Sequence, residues 1–389
     1  MTAFGEMLRQ LREERGLSLS AFAASIHYNK GYISRIERGL QPPSDELARL
    51  CDSALQARGD LVAAAHLDIV ALRDARPWQT TELLRRIQAN DAAPSTLDAL
   101  EATVTRLCCE YPYRDAAQLV GEAREWLQHI GHMVRRPTGL RQHKELLVCA
   151  GWLALLVGCL EHDLGLRASA QATRAAARQL ADEASNAEIS AWTHEMAAWF
   201  ALTQRRYVDT VSEARAGQEV SQSHAVTVQL IAQEAKALGR LHDVDGVRQA
   251  LNRGRRLLDT FPTPERPDHH FVVDPNKWVF YAMDAYRFAG DDTLAAEYAH
   301  QVLANSISPD GVEQAPMRVA EARLTLAVVA ARQGDLEEAV ALGLAALRDQ
   351  RKSLPSLLMV AGELDVELDR HFGGEPTTAA FRDALRLIR

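Results

Sequence analysis

An all-α fold follows from three features of this 389-residue sequence. Alanine and leucine dominate while aromatics make up only 6%, a composition that favours helices over sheets. Apolar residues recur at helical spacing along most of the chain, without sustained period-2 alternation. Short polar breaks separate these stretches, and no hairpin signal interrupts them. At 47% hydrophobic and 25% charged the chain can bury a substantial core, and its length calls for more than one domain.

Taken in order, Phe4, Leu8 and Leu11 recur at i, i+4 and i+7 and predict a first helix over residues 4–15, ending near Gly16. Ser18 caps a second helix, with Phe22, Ala23 and Ile26 inward, and Ala23 is small enough for another helix to cross closely. A turn follows at His27–Tyr28. Asn29 then caps a third helix from Lys30 to Arg38, with Ile33 and Ile36 inward. Gly39 ends it as a left-handed residue. Pro42 and Pro43 hold an extended linker, and Ser44 caps a fourth helix carrying Leu47, Leu50 and Leu55.

The stretch "HYNKGYISRIERG", residues 27–39, puts Lys30, Arg35 and Arg38 on one short helix of a chain with formal net charge −8. Residues 1–60 hold eight basic and eight acidic residues, so the whole excess of negative charge lies downstream. The basic character at the N-terminus is therefore a local face.

The run "GLSLSAFAASIHYNKGYISRIERG" followed by "PPSDELARLC" resembles the phage-repressor-like (XRE) helix-turn-helix family, without a gap from about residue 4 to 60. The "SRIERG" ending is the specific part of the match. The resemblance implies a five-helix, lambda-repressor-like domain over residues 1–65 that binds double-stranded DNA with its third helix in the major groove. With Ile33 and Ile36 inward, Lys30, Gly31, Tyr32 and Arg35 point out as base readers. Arg35 or Lys30 suits guanine O6/N7, and Tyr32 a thymine methyl or a phosphate. Ser18, Asn29, Ser34, Arg38 and Gln41 are placed for phosphate contacts. Arg12 and Glu37 match the family's paired arginine and glutamate, which tie the first helix to the third. His27 departs from the family's usual glycine at the tight turn; histidine tolerates positive φ better than most residues. Non-specific affinity comes mostly from phosphate neutralisation, so a domain of zero net charge calls for dimerisation.

Beyond a connector over residues 66–95, which carries Pro77 and "DAAP", residues 96–389 read as helix after helix. The clearest unit is "AEARLTLAVVAARQGDLEEAVALGLAAL", residues 320–347, two helices meeting at Gly334–Asp335 with Ala327, Ala339 and Ala346 small at the crossing. It resembles a tetratricopeptide (TPR) unit. Weaker copies align on His162–Asp163, Arg205–Arg206, His242–Asp243 and Gly290–Asp291. Leu155, Ala198, Ala235 and Met283 precede these turns, and Arg167, Thr210, Val247 and Ala295 follow them. Spacings of 43, 37, 48 and 44 residues exceed the TPR norm of about 34, so the expected fold is a degenerate TPR-like α-helical solenoid. The TPR register puts Trp192, Glu195, Trp199, Gln229, Lys236, Lys277, Asp284 and Arg287 on a concave wall suited to a peptide or another amphiphilic ligand. The loop "FPTPERPDHHFVVDPN", residues 261–276, reads equally as a lid or as a surface loop.

Signals for other chemistry are weak. The five cysteines lack C-x-x-C spacing and read as reduced thiols. His129 and His132, with His143 and Cys149 beyond, lack the convergence of a zinc site and read as exposed helical histidines. "HEM" at 194 lacks the second histidine of H-E-x-x-H. Phosphate-binding, dinucleotide and nucleophile-elbow motifs are missing, so neither an enzyme nor a cofactor is expected. "LLVCAGWLALLVGCL", residues 146–160, is shorter than the roughly 20 residues of a membrane span and reads as a buried helix. "MTAFGEMLRQ" has no signal-peptide core, which points to the cytoplasm.

A DNA-binding head joined to a TPR-like array resembles the peptide-sensing regulators of Gram-positive bacteria that include Rgg and PlcR. That resemblance implies a homodimer whose array binds a small signal, a peptide first of all, and shifts the spacing of two DNA heads. Two alternatives are a DNA-bound adaptor that recruits a partner protein and a sensor of a non-peptide metabolite.

Overall fold

A computed structural model describes residues 3–26, 28–38, 43–65, 94–136, 139–221, 223–348 and 353–388. Within them the chain is helical almost throughout, with no β-strand. It forms two compact units, residues 1–93 with Ile307–Val312, and residues 94–306 with 313–389.

The first unit opens with α1 (Ala3–Glu14), α2 (Leu19–Ser25), α3 (Lys30–Glu37) and α4 (Asp45–Ala54), and residues 60–65 are again helical. Side-chain caps start three of these helices. Ser18 Oγ accepts from the Ala21 amide at 3.1 Å, Asn29 Oδ1 from Gly31 at 2.7 Å and Ser44 Oγ from Leu47 at 3.2 Å. Phe4, Leu8, Phe22, Ile33, Ile36 and Leu47 are completely buried in one core. On α4, Leu50 is 39% exposed, and Cys51 takes the core position between Leu47 and Leu55 at i+4 spacing. Asp52 supplies a cap the sequence did not advertise, its carboxylate accepting the amides of Gly59 and Leu61. His27, Gly39, Gln41 and Pro42, and residues 66–93 of the connector, lie outside the described residues.

The second unit begins with α5 (Pro94–Glu110) and α6 (Ala116–Val134). Six helical hairpins follow: α7 (Leu140–Asp163) with α8 (Arg167–Ala184), α9 (Ala187–Thr203) with α10 (Tyr207–Val220), and α11 (Val226–Arg240) with α12 (Val244–Leu258). The last three are α13 (Pro275–Ala289) with α14 (Asp292–Ser306), α15 (Pro316–Gln333) with α16 (Leu336–Leu347), and α17 (Leu354–Phe372) with α18 (Thr377–Leu387). A left-handed residue reverses the chain inside each hairpin, namely Gly165, Arg205, His242, Gly290, Gly334 and Gly374. Two are not glycine; with φ of 61° and 62°, Arg205 and His242 accept a conformation that costs an L-residue some strain.

The first expected turn is displaced. His162 and Asp163 lie inside α7 and are 1% and 2% exposed. The His162 ring stacks on Phe200 at 4.2 Å, and Asp163 accepts the Tyr111 hydroxyl at 2.7 Å. The reversal falls at Gly165–Leu166, so the small residues at the crossing are Gly158 and Ala170, not Leu155 and Arg167. A Cβ on Gly158 would lie 3.7 Å from the Ala170 carbonyl oxygen and 2.6 Å from Met196 Cε.

The odd-numbered helices from α7 to α17 form an inner layer, each touching the next. The layer closes on itself, because α17 also touches α7 and α9. Trp199 Nε1 donates to Ser356 Oγ at 3.0 Å, and Leu202 shares a core with Val360 and Leu364. Among the described residues α7 is the helix long and apolar enough to cross a membrane, and 78% of its apolar window is buried within the unit. The 261–276 loop is built into the wall. Phe271 is buried between Trp152 and Trp192, and Asp274 caps α13 through the amides of Asn276 and Lys277.

Candidate functional site

Two surfaces carry the expected functional residues, one in each unit. In the first, α3 is held by its apolar side, Ile33 and Ile36, and by Glu37. Arg12 Nε and Nη2 donate to the two Glu37 carboxylate oxygens at 2.6 and 3.0 Å, and Arg12 Nη1 reaches the Leu17 carbonyl. Glu37 is the only acid on α3, and Arg12 neutralises it. The remaining charge of that short segment is therefore the positive charge of Lys30, Arg35 and Arg38. Lys30 and Arg38 are exposed and Arg35 is half-buried. Tyr32 lies lower than a free base reader would: its ring stacks on Tyr28 at 5.7 Å, and both pack against the core. Burial raises the Tyr32 phenol above its usual range. Ser18 and Asn29 serve as caps with their side-chain oxygens, and the Arg38 guanidinium bonds the Ser34 carbonyl at 3.2 Å.

In the second unit, the inner helices line a partly open cavity of about 400 Å³. Same-face spacing explains its lining: Glu195 and Trp199 on α9, Gln229, Gln233 and Lys236 on α11, Lys277 and Tyr281 on α13, and Arg318 and Glu321 on α15. Tyr111 and His269–His270 complete the wall from two loops, with the His270 ring 3.7 Å from that of Tyr111. Five of the eight residues placed on the concave wall thus line the cavity: Glu195, Trp199, Gln229, Lys236 and Lys277. The other three lie beneath it. Trp192 is 1% exposed, with Lys277 Nζ 5.6 Å from its ring. Asp284 and Arg287 belong to a buried ionic network. Arg240 grips Asp284 at 2.6 and 3.0 Å, Arg287 donates to Asp284 and to Glu363, and Thr325 accepts from Arg287. Burial alone would raise the Asp284 carboxyl, but Arg240, Lys236 and Arg287 outweigh it and hold the group well below the carboxylate range.

Inside the cavity, burial controls charge. It raises the Glu195 carboxyl even though Gln229 and Gln233 both donate to Oε1 at 2.8 Å. It raises Glu321 as well. Burial, helped by Arg318, lowers the Lys277 ammonium to about 8. Lys277 Nζ is committed to the loop, donating to the carbonyls of His270 and Val272, so it fastens the 261–276 segment against the helices.

Gln233, Tyr281, Arg318 and Glu321 escaped the sequence reading. Gln233 was legible as the i+4 neighbour of Gln229. Arg318 and Glu321 stand on the N-terminal half of α15, far from the Gly334 turn that marks the repeat, so helical period alone does not show that they face the cavity. Among the described residues no His/Cys/Asp/Glu group is arranged to hold a metal, and all five cysteines are buried free thiols. His129 is half-buried and edge-on to Trp126, not fully exposed.

A family model for a helix-turn-helix domain matches residues 3–65. No curated protein matches the chain. The capped α2 and α3, the tyrosine-flanked turn between them and the match agree: residues 3–65 are a helix-turn-helix domain, which suggests a DNA-binding regulator.

Proposed function

We propose that this chain is a cytoplasmic, homodimeric transcription regulator that binds specific DNA through residues 3–65 and senses a small signal in the cavity of its array. The carrying observation is a helix-turn-helix domain joined to a unit with a cavity whose lining mixes aromatic rings and buried charged groups. Aromatic rings that seat an apolar body beside convergent polar and charged groups that orient it suit a small polar ligand. The degenerate TPR-like register and the resemblance to Rgg and PlcR regulators support the same reading. Closure of the inner layer by α17 favours a small ligand over a partner protein, which would need an open groove.

Charge supports the dimer. Residues 1–60 have no net charge, so one head has few phosphates to neutralise beyond the α3 face. Two heads on one platform make the second contact intramolecular. A ligand regulates such a dimer by favouring one arrangement of the heads. Footprinting should find two half-sites, and inserting about five base pairs between them should turn one head to the far side of the duplex and abolish tight binding. A monomer by light scattering in the presence of operator DNA sinks the dimer. Operator affinity that ignores every low-molecular-weight fraction of a cell extract sinks the sensor.

A further inference from the structure

The sensing reading leaves the ligand unnamed, and the cavity narrows it. Resting on that reading, we propose that the cavity binds a compact zwitterion of amino-acid or dipeptide size, with its carboxylate on Lys236 and Arg318 and its ammonium among Glu195, Glu321 and the two glutamine amides.

The anion end follows from Lys236. It is 5% exposed, yet its ammonium makes no hydrogen bond among the described residues. The nearest acidic oxygen, Asp284 Oδ2, is 3.8 Å away and already accepts from Arg240 at 2.6 Å. The other buried ammonium, Lys277, already spends two of its three donors on loop carbonyls. The Lys236 ammonium thus reaches the cavity held only by a long ion pair and two aromatic rings, and an arriving carboxylate would give it charge-assisted hydrogen bonds. Arg318 lines the same cavity and adds a second cation.

The cation end follows from an excess of acceptors. Gln229 and Gln233 both spend their amide donors on Glu195 Oε1, which leaves their own amide oxygens buried with no partner. Glu321 Oε2 is buried and unpartnered too. An ammonium carries three donors and no acceptor, the complement of this cluster. A plain amine would leave Lys236 unsatisfied and a plain carboxylate would leave Glu321 so; a zwitterion answers both. Phe280 and Tyr281, whose rings lie 5.6 and 5.4 Å from Lys236 Nζ, give the apolar body its seat. The volume of about 400 Å³ matches a compact ligand better than a long peptide, each residue of which adds about 3.3 Å when extended.

Titration calorimetry on the full-length protein tests this with the standard amino acids and a mixed dipeptide library, each also presented N-acetylated and C-amidated. The expected result is saturable binding by at least one free zwitterion, weakened on the order of tenfold or more by either cap. Lys236→Met should erase the preference for the free acid over the amide, and Glu321→Gln should shrink the preference for the free amine. No binding across the library, or equal binding of capped and free forms, overturns the proposal; the wild-type comparison does not depend on how the variants fold. Operator affinity measured alongside separates the two readings. Cap-sensitive binding that leaves operator affinity unchanged supports the zwitterion site and removes the sensor. A response to longer peptides alone removes the zwitterion and keeps the sensor.

Discussion

Arg12 on α1 and Glu37 on α3 meet through two parallel hydrogen bonds of 2.6 and 3.0 Å, and both residues are more than nine-tenths buried. Twenty-five residues separate them in sequence. The pair fixes the helix that presents Lys30 and Arg35 to the helix at the start of the chain, and it takes the single acid of α3 out of the electrostatic face. On the outer side of α3 the nearest acid to the reading residues, among the described residues, is instead Asp310, whose carboxylate lies 3.9 Å from Arg35 Nη1.

Glu37→Ala should loosen the head before it alters base preference. Removing one partner strands a guanidinium in a low-dielectric site, and such losses reach about 3–5 kcal/mol when burial is deep. Hydrogen exchange of α1 and α3 amides in the full-length protein should accelerate, with DNA affinity falling alike for all sequences. Unchanged protection of both helices would show that the pair carries no stability.

Arg35→Ala should do the opposite. The helix is anchored by Ile33, Ile36 and Glu37, so shortening an outward side chain opens no core cavity. Loss of one base contact costs about 1–3 kcal/mol and should relax preference at one position, while Arg38→Ala should weaken all sequences and reduce the salt slope by about one. Gel-shift titrations at two salt concentrations, with circular dichroism as control, separate the two. Wild-type affinity in a folded Arg35→Ala protein removes Arg35 from the reading face.

Glycines at helix crossings should differ in their tolerance of a methyl group. A Cβ on Gly254 would stand 2.3 and 2.6 Å from Trp278 ring atoms, a rigid obstacle. On Gly158 the closest atom is the mobile end of Met196 at 2.6 Å. Over-packing typically costs about 1–3 kcal/mol, so Gly254→Ala should fall in that range and Gly158→Ala below it. Urea midpoints for the two variants give the order directly, and a reversed order contradicts the crossing geometry.

Legibility in the sequence followed the length scale of each signal. Caps and periodicity are local, so Ser18, Asn29 and Ser44 and the core sides of α1 to α3 could be read without a structure. The reversals at Arg205, His242, Gly290 and Gly334 were legible for the same reason. The reversal before α8 was missed because His162 and Asp163 look like surface polar residues. Only tertiary partners, Phe200 and Tyr111, explain why a helix buries them. The cavity was read in part, since same-face spacing reveals which side of α9 and α11 is polar but not which side chains a buried network consumes. Asp284 and Lys236 are oppositely charged residues on neighbouring inner helices, 3.8 Å apart. One is gripped by Arg240 and Arg287 and the other is left without a hydrogen bond, a difference that only their packing decides.

His162 should make the array acid-sensitive. Burial against Phe200 and Trp199 lowers its pKa from 6.5 to about 3, Arg167 adding to the effect. The folded state therefore binds fewer protons than the unfolded chain between those values, and stability falls as pH falls. Above pH about 6.5 both states leave the imidazole neutral and the stabilisation is complete. By pH 5 the unfolded state has gained most of a proton that the folded state refuses, a loss of about 2 kcal/mol. His269, lowered by burial to about 4, pushes in the same direction, so the wild-type profile alone does not isolate His162. His162→Phe keeps a ring against Phe200 and removes the titration, at the cost of the weak contact to Thr203 Oγ1 at 3.2 Å. Trp199, whose ring lies 4.5 Å from that of His162, is among the five tryptophans of the second unit, so tryptophan fluorescence follows array unfolding. The urea midpoint of the variant relative to wild type should be constant above about pH 7 and should rise steadily as pH drops from 6.5 to 5. If the two midpoints run parallel over that interval, His162 takes up its proton in the folded protein and its burial is not what makes the array sensitive to acid.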